Sequence, residues 1–284
     1  MTAIAGIVIV LACVIGGFAM AGGHLAILFQ PIEILIIFGS ACGAFLISSP
    51  GSVVKDVIKH LPKIMTAKET SKQQYLDLLS VMYGLFSEAR RGGAVAMDQH
   101  INKPDQSKIF QKYPSVLANK HVSHFLCDNL KVVLSGNIEH HFMDALMDFD
   151  ISTRHHHHMI PANSVTKIAD ALPGLGIVAA VLGVVLTMGK LNEPPDVLGH
   201  SIGAALIGTF LGVLMCYGFV GPMATKLEFI AADHNTQLKV VKSSLSAYLM
   251  GLAPALSVEA GRRAIPENVQ PSFDELEEAM KSVG

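Results

Sequence analysis

The chain has 284 residues, 51% hydrophobic and 15% charged, with a mean hydropathy of +0.45. Soluble domains carry about a quarter charged residues, so the composition points to a membrane protein, and a formal net charge of −2 offers no basic surplus for binding nucleic acid. Cys13, Cys42, Cys127 and Cys216 have no CxxC spacing, which excludes a disulfide-stapled secreted domain and leaves buried, reduced thiols as the expectation.

Charge-free runs come first in chain order. No Asp, Glu, Lys or Arg occurs from Met1 to Ile32, Ile34 to Val54, Ala171 to Gly189 or Val197 to Thr225. Each reaches the roughly 20 residues that cross a bilayer as a helix, and only a helix satisfies its own backbone there. The predicted spans are 3–22, 33–51, 171–190 and 200–222. Ala19-Met-Ala21 has the form of a cleavage site, but no basic segment precedes the apolar run, so the first span is expected to be retained.

The long segment between spans two and three reads as helical. Tyr75, Leu78, Leu79, Met82, Leu85 and Phe86 recur at spacings of three and four within 69–91, and similar stripes run through 115–135 and 138–149. Gly92-Gly93, Pro104 and Pro114 are expected to separate them. A last helix near 272–282 opens at Ser272 with Glu275 three residues on, the spacing of a capping box. The expected layout is spans one and two in 1–54, a cytoplasmic helical domain in 55–170, spans three and four in 171–225 and a cytoplasmic helical tail in 226–284. Fourteen of the 21 Lys and Arg lie in 55–170 and six after 225, with Lys55, Lys59, Lys63, Lys167 and Lys226 close to membrane ends. By the positive-inside rule both termini face the cytoplasm.

The chemistry within the membrane is sparse. The interiors of the runs hold no carboxylate, Lys or Arg, whereas a proton or cation relay normally uses an ionisable intramembrane group. The polar groups there are the hydroxyls of Thr187, Ser201 and Thr209, for which bonds to the preceding helical turn are expected, and His200 at an edge. Gly176, Ala180 and Gly183, then Gly199/Gly203 and Gly208/Gly212, form small-residue faces; packing among the four helices is at least as expected as binding a partner helix. Pro173 and Pro222, near the cytoplasmic ends of spans three and four, each can free a carbonyl and bend a helix. His155 to His158, with His140 and His141 upstream, are expected in a solvated loop, and specific metal binding is the weaker reading. No Walker lysine motif, GxSxG or HExxH occurs, so neither an ATP-driven pump nor a hydrolase is supported, and no cofactor is expected.

One family matches this layout. Gly22-Gly23 before Pro31-Ile-Glu33, Tyr75-Leu-Asp-Leu-Leu79, Arg90 with Asp98, Pro161-Ala-Asn-Ser164, Leu172 to Gly183, Gly208-Thr-Phe-Leu-Gly212, Tyr217-Gly-Phe-Val-Gly-Pro222 and Pro271 to Glu277 follow in order along nearly the whole chain. In this the chain resembles the MotA/PomA proteins of the bacterial flagellar stator, of the MotA type. The resemblance implies an all-α protein of the bacterial inner membrane and a collar of five such subunits around two copies of a MotB-type partner. That partner contributes a single span with the missing Asp and a peptidoglycan-binding domain. The resemblance also implies that ion flow turns the collar against the rotor protein FliG. By position it makes Arg90 and Asp98 rotor contacts (Asp98 where the family often has Glu), Pro173 and Pro222 the links between ion binding and movement, and Thr209 a hydroxyl on the ion path. Sodium-driven relatives have Thr at the position of Ala180; Ala179-Ala180 offers no side-chain oxygen, so protons rather than Na⁺ are expected. The alternatives weighed are a sodium-driven PomA-type stator, an ExbB/TolQ-like energiser, a stand-alone carrier and a passive membrane scaffold.

Overall fold

A computed structural model describes residues 2–67, 69–136 and 138–283; the side chains of Lys63 and Ala94 fall outside that description. The described residues form helices and turns with no strand. In order these are α1 (Thr2–Met20), α2 (Pro31–Ser48), α3 (Gly51–Thr66), α4 (Lys72–Asn102), α5 (Lys108–Gln111) and α6 (Pro114–Ala118). There follow α7 (Lys120–Ser135), α8 (His140–Met188), α9 (Pro195–Leu214), α10 (Gly221–Leu249), α11 (Pro254–Arg262) and α12 (Phe273–Val283). Among the described residues four helical stretches are long and apolar enough to cross a membrane, as the sequence predicts: α1, the stretch Leu25–Ser48, α8, and the stretch from α9 through α10. The chain divides into two compact units, one of residues 1–67 and 158–230, the other of 68–157 and 231–284.

In the first unit the spans pack through small residues. Ile37 and Ala41 of α2 meet Ala169, Leu172 and Ala179 of α8 and Cys216 in one buried cluster. A second cluster joins Val57 and Ile64 of α3 to Ala162 and Val165 of α8 and Ala224 and Leu227 of α10. No residue of α1 is buried. An apolar exterior is what a lipid-facing helix needs, because the bilayer, unlike water, does not penalise it. The chain leaves α1 through Gly22, whose φ of 81° is the left-handed conformation that glycine adopts without a Cβ penalty.

The second unit is built around α4, whose Tyr75, Leu79, Met82, Leu85 and Phe86 are nearly or fully buried with Phe125, Leu126 and Leu130 of α7 and Val240, Val241 and Leu245 of α10. These are the residues of the predicted stripe. Phe86 and Tyr248 stack at 4.3 Å. Ser71 and Gln74 form a capping box at the start of α4. At α12 the Ser272 N–H donates to Glu275 and the Glu275 N–H to the Ser272 hydroxyl, the reciprocal pair read from sequence.

Four local expectations change. The stripe at 138–149 does not end: α8 continues to Met188 through Pro161 and Pro173. A proline removes one helical bond and kinks a helix that tertiary packing holds on both sides. His155 to His158 are therefore helical rather than in a loop. Cys127 and Cys216 are buried as expected, but Cys13 and Cys42 are exposed on the apolar faces of α1 and α2. The Gly92-Gly93 break holds in a modified form: α4 runs on to Asn102, but Gly93, at φ 71° and ψ −169°, kinks it.

Candidate functional site

The seam between α8 and α9 sets the geometry of the membrane part. A Cβ on Gly176 would lie 2.7 Å from the Gly208 carbonyl oxygen, and one on Gly212 would lie 2.6 Å from that of Leu172. A Cβ on Gly208 would lie 3.0 Å from the Ala180 nitrogen, and one on Gly183 would lie 2.8 Å from the Ala205 Cβ. Here backbones touch, which only small residues allow. Gly176, Gly183, Gly208 and Gly212 thus serve packing within the subunit. Gly199 has nothing within 4 Å of its missing Cβ, and Gly203 meets only Ile27, at 3.3 Å.

Ala180 and Thr209 lie on this seam, Ala180 buried against Gly208 and Thr209 next to it in α9. The intramembrane hydroxyls separate into three cases. Thr187 donates to the Gly183 carbonyl at 2.8 Å, the helix-internal bond expected of it. Ser201 instead accepts from Lys190 at 3.3 Å. The half-buried Thr209 makes no hydrogen bond among the described residues, so its hydroxyl is available to an incoming group.

Pro222 lies on one cleft with the turn of α8 that precedes Pro173. Residues Met215–Val220 form a π-helical turn, closed by the Gly221 N–H donating to the Cys216 carbonyl. Such wide turns concentrate where helices do functional work. Pro222 follows directly; it has no N–H for the Gly218 carbonyl, and its ring would crowd that carbonyl in an ordinary helix. Pro173 likewise deprives the Ala169 carbonyl of its partner. Ala169, Asp170, Cys216, Tyr217 and Pro222 all line one open cleft of about 530 Å³.

Sequence reasoning missed two features. Glu33, which reads as a mere boundary between apolar runs, is 9% exposed in the first turn of α2. Its Oε1 lies 3.7 Å from where a Cβ on Gly183 would be, and its carboxylate has no hydrogen bond or ion pair among the described residues. The sign was its isolation: it is the single charge between Met1 and Lys55. The π turn had only Pro222 to announce it.

Arg90 and Asp98 belong to the other unit. Both are exposed on α4, one on each side of the Gly93 kink, and neither has an ion-pair partner among the described residues. Arg90 approaches Tyr248: burial pushes that phenol above its ordinary range, and the guanidinium partly offsets the rise. Val95, between the two charges, is 83% exposed, so the surface offers both signs of charge and an apolar centre. No group of three or more His, Cys, Asp or Glu side chains is placed to hold a metal among the described residues.

Comparison with known proteins identifies relatives across the whole chain. A family model described as Motility protein A N-terminal matches residues 4–93, and one described as the MotA/TolQ/ExbB proton channel family matches 117–240. Motility protein A of Salmonella typhimurium and that of Escherichia coli are each 39% identical over 98% of this chain and 94% of theirs. Chemotaxis protein LafT of Vibrio parahaemolyticus is 32% identical over 96% of this chain and 95% of its own. Among solved structures, C. jejuni MotAB superposes with a TM-score of 0.78 at 18% identity, covering 94% of this chain and 96% of that one. The flagellar MotAB stator complex from Bacillus subtilis gives 0.75 at 23% identity, covering 98% and 99%. At those identities the likeness is one of fold.

Proposed function

We propose that this chain, which belongs to the motility protein A family, is a stator subunit of a bacterial flagellar motor. With a MotB-type partner it forms a proton-conducting complex that converts ion flow into torque. The observation that carries the reading is the 39% identity to two motility A proteins over 98% of the chain. It is a multi-pass membrane protein of the inner membrane, and in this reading both termini and residues 55–170 face the cytoplasm, since that segment and the tail hold 20 of the 21 Lys and Arg. Residues 1–54 and 171–225 carry the spans, 55–170 engages the rotor and 226–284 forms the tail. Five copies surround two partner helices in this arrangement.

Arg90 and Asp98 then meet FliG, their exposure and lack of internal partners leaving them available for an opposite charge. Pro173 and Pro222 couple ion binding to movement; Pro222 and the Ala169 and Asp170 turn before Pro173 line one cleft. Thr209 lines the ion path. Protons are the ion, because Ala180 is packed on Gly208 and supplies no side-chain oxygen to replace the hydration shell of Na⁺.

The test is swimming. A non-motile strain lacking its own stator and carrying this gene with its partner gene regains motility that a protonophore abolishes and a sodium-channel blocker leaves intact. Motility that depends on sodium overturns the choice of ion, and no rescue with either ion overturns the stator reading.

A further inference from the structure

The first unit holds a second cavity, apart from the seam and the proline cleft. It measures about 370 Å³ and lies where α2 and α3 meet α8, a size within the usual range of roughly 300–1,000 Å³ for ligand sites. Its inner wall is apolar, from Ala41, Ala44 and Phe45 of α2 and Ile168 and Ala171 of α8. Ser48, Ser49 and Ser164 line its other end beside the apolar Pro50, Val53 and Ile160, with Lys167 the one charged residue in the lining. Along α2 the change from Ala41 to Ser48 takes seven residues, about 10 Å of helix rise. Over that length the wall passes from the hydrocarbon part of the span to its polar edge.

The polar end is short of partners. Lys167 is exposed and makes no hydrogen bond or ion pair among the described residues, and the same holds for the Ser49 and Ser164 hydroxyls; the Ser48 hydroxyl donates to the Phe45 carbonyl. The adjoining α3 adds Lys55 and Lys59, one turn apart, exposed and likewise without ion-pair partners, against one acid, Asp56. Its opposite face is apolar and buries Val57 and Ile64. A basic-edged amphipathic helix at the end of a span lies in the headgroup layer, and basic pockets between spanning helices bind anionic headgroups.

We propose that this cavity is a binding site for an anionic phospholipid. One acyl chain lies along Ala41, Ala44 and Phe45, and the phosphate is held by Lys167 with the Ser49 and Ser164 hydroxyls. Lys55 and Lys59, on the face of α3 turned away from the cavity, add only general attraction for anionic lipid at this edge of the span. A zwitterionic lipid has the same chain and the same phosphate, but its ammonium opposes Lys167, so the site discriminates by net headgroup charge.

The experiment uses the full chain with its partner in detergent, titrated with phosphatidylglycerol or phosphatidylethanolamine and read by native mass spectrometry. Phosphatidylglycerol is retained in preference, Lys167→Gln weakens that retention about fivefold, the effect of one lysine near an anionic headgroup, and Lys167→Arg keeps most of it. Equal retention of the two lipids, or a Lys167→Gln protein that retains phosphatidylglycerol as the parent does, overturns the proposal. A photo-cross-linking residue at Ala44 in native membranes gives a lipid adduct. An adduct with a second copy of this chain or with the partner instead means that protein fills the cavity, and the proposal fails.

Discussion

Arg90 and Asp98 show how far a residue can be read from its position alone. Composition and periodicity place them on a charged helical stretch, where most charges are simply solvated; only the resemblance gives them a partner, and exposure without internal ion pairs agrees with it. Arg90→Glu therefore leaves membrane assembly intact and impairs torque, and a compensating reversal on the rotor restores part of it. Motility in viscous medium and immunoblots of membrane fractions check this, and loss of the protein itself would assign Arg90 to folding instead. Glu259 is the opposite case. Buried in α11, it accepts from Arg262 at 2.6 and 2.8 Å and from Arg263 at 2.9 Å. The Arg262 hydrogen bonds outweigh its burial and, with help from Arg263, hold its carboxyl below the ordinary range. A lowered carboxylate contributes stability above its unfolded value of 4.5, lost as the pH falls through the lowered value. Glu259→Gln leaves the partly buried Arg262 guanidinium without its anion and costs about 3 kcal/mol at neutral pH. Thermal melts of the solubilised parent and variant then converge only once the pH has fallen through the lowered Glu259 value, where both are neutral at this position.

At the scale of elements, periodicity found the helices and steric punctuation found their ends. The stripe in α4 forms the core, Pro114 sits at a helix start, and Ser272 caps α12. The continuity of α8 was not legible, because a proline is compatible with either a break or a kink and only packing on both sides decides. Nor did spacing tell Gly199/Gly203 from Gly208/Gly212, since the same four-residue interval occurs where no backbones touch and along a contact seam. The structure tells them apart, with a testable consequence. Gly212→Ala sets a methyl against the Leu172 carbonyl and the Gly176 Cα and forces α8 from α9. Against an expected gain of about 1 kcal/mol in helix propensity, the overpacking costs about 1–3 kcal/mol. Gly199→Ala meets nothing and keeps the propensity gain. Melting temperatures of the two variants in one detergent should move in opposite directions.

At the scale of the molecule, the general architecture was readable because lipid allows so few backbone solutions. Which surfaces await other chains was not, since an apolar face reads the same whether lipid or protein covers it. α1 has no buried residue, and Thr209 is left with a free hydroxyl beside the seam. Glu33, a buried acid near the seam, sits in the first turn of α2 rather than at mid-span. A continuous path for protons therefore needs a carboxylate from elsewhere. The chain purified and reconstituted alone passes no protons, whereas liposomes holding it with the partner do, as a pH-sensitive dye trapped inside will show. Flux through the chain alone would shift the conducting role to Glu33.

The wide turn at Met215–Val220 gives this last span a degree of freedom that an ideal helix lacks. It holds one residue more than the ring it replaces, and one residue of an α-helix is about 100° of rotation. When such a turn tightens at one end and reopens a residue further along, the segment between changes its angular phase with no loop unfolding and no net loss of hydrogen bonds. Pro222, directly beside the turn, already interrupts the regular ladder there. The span thus holds a built-in irregularity whose register can change only by whole residues.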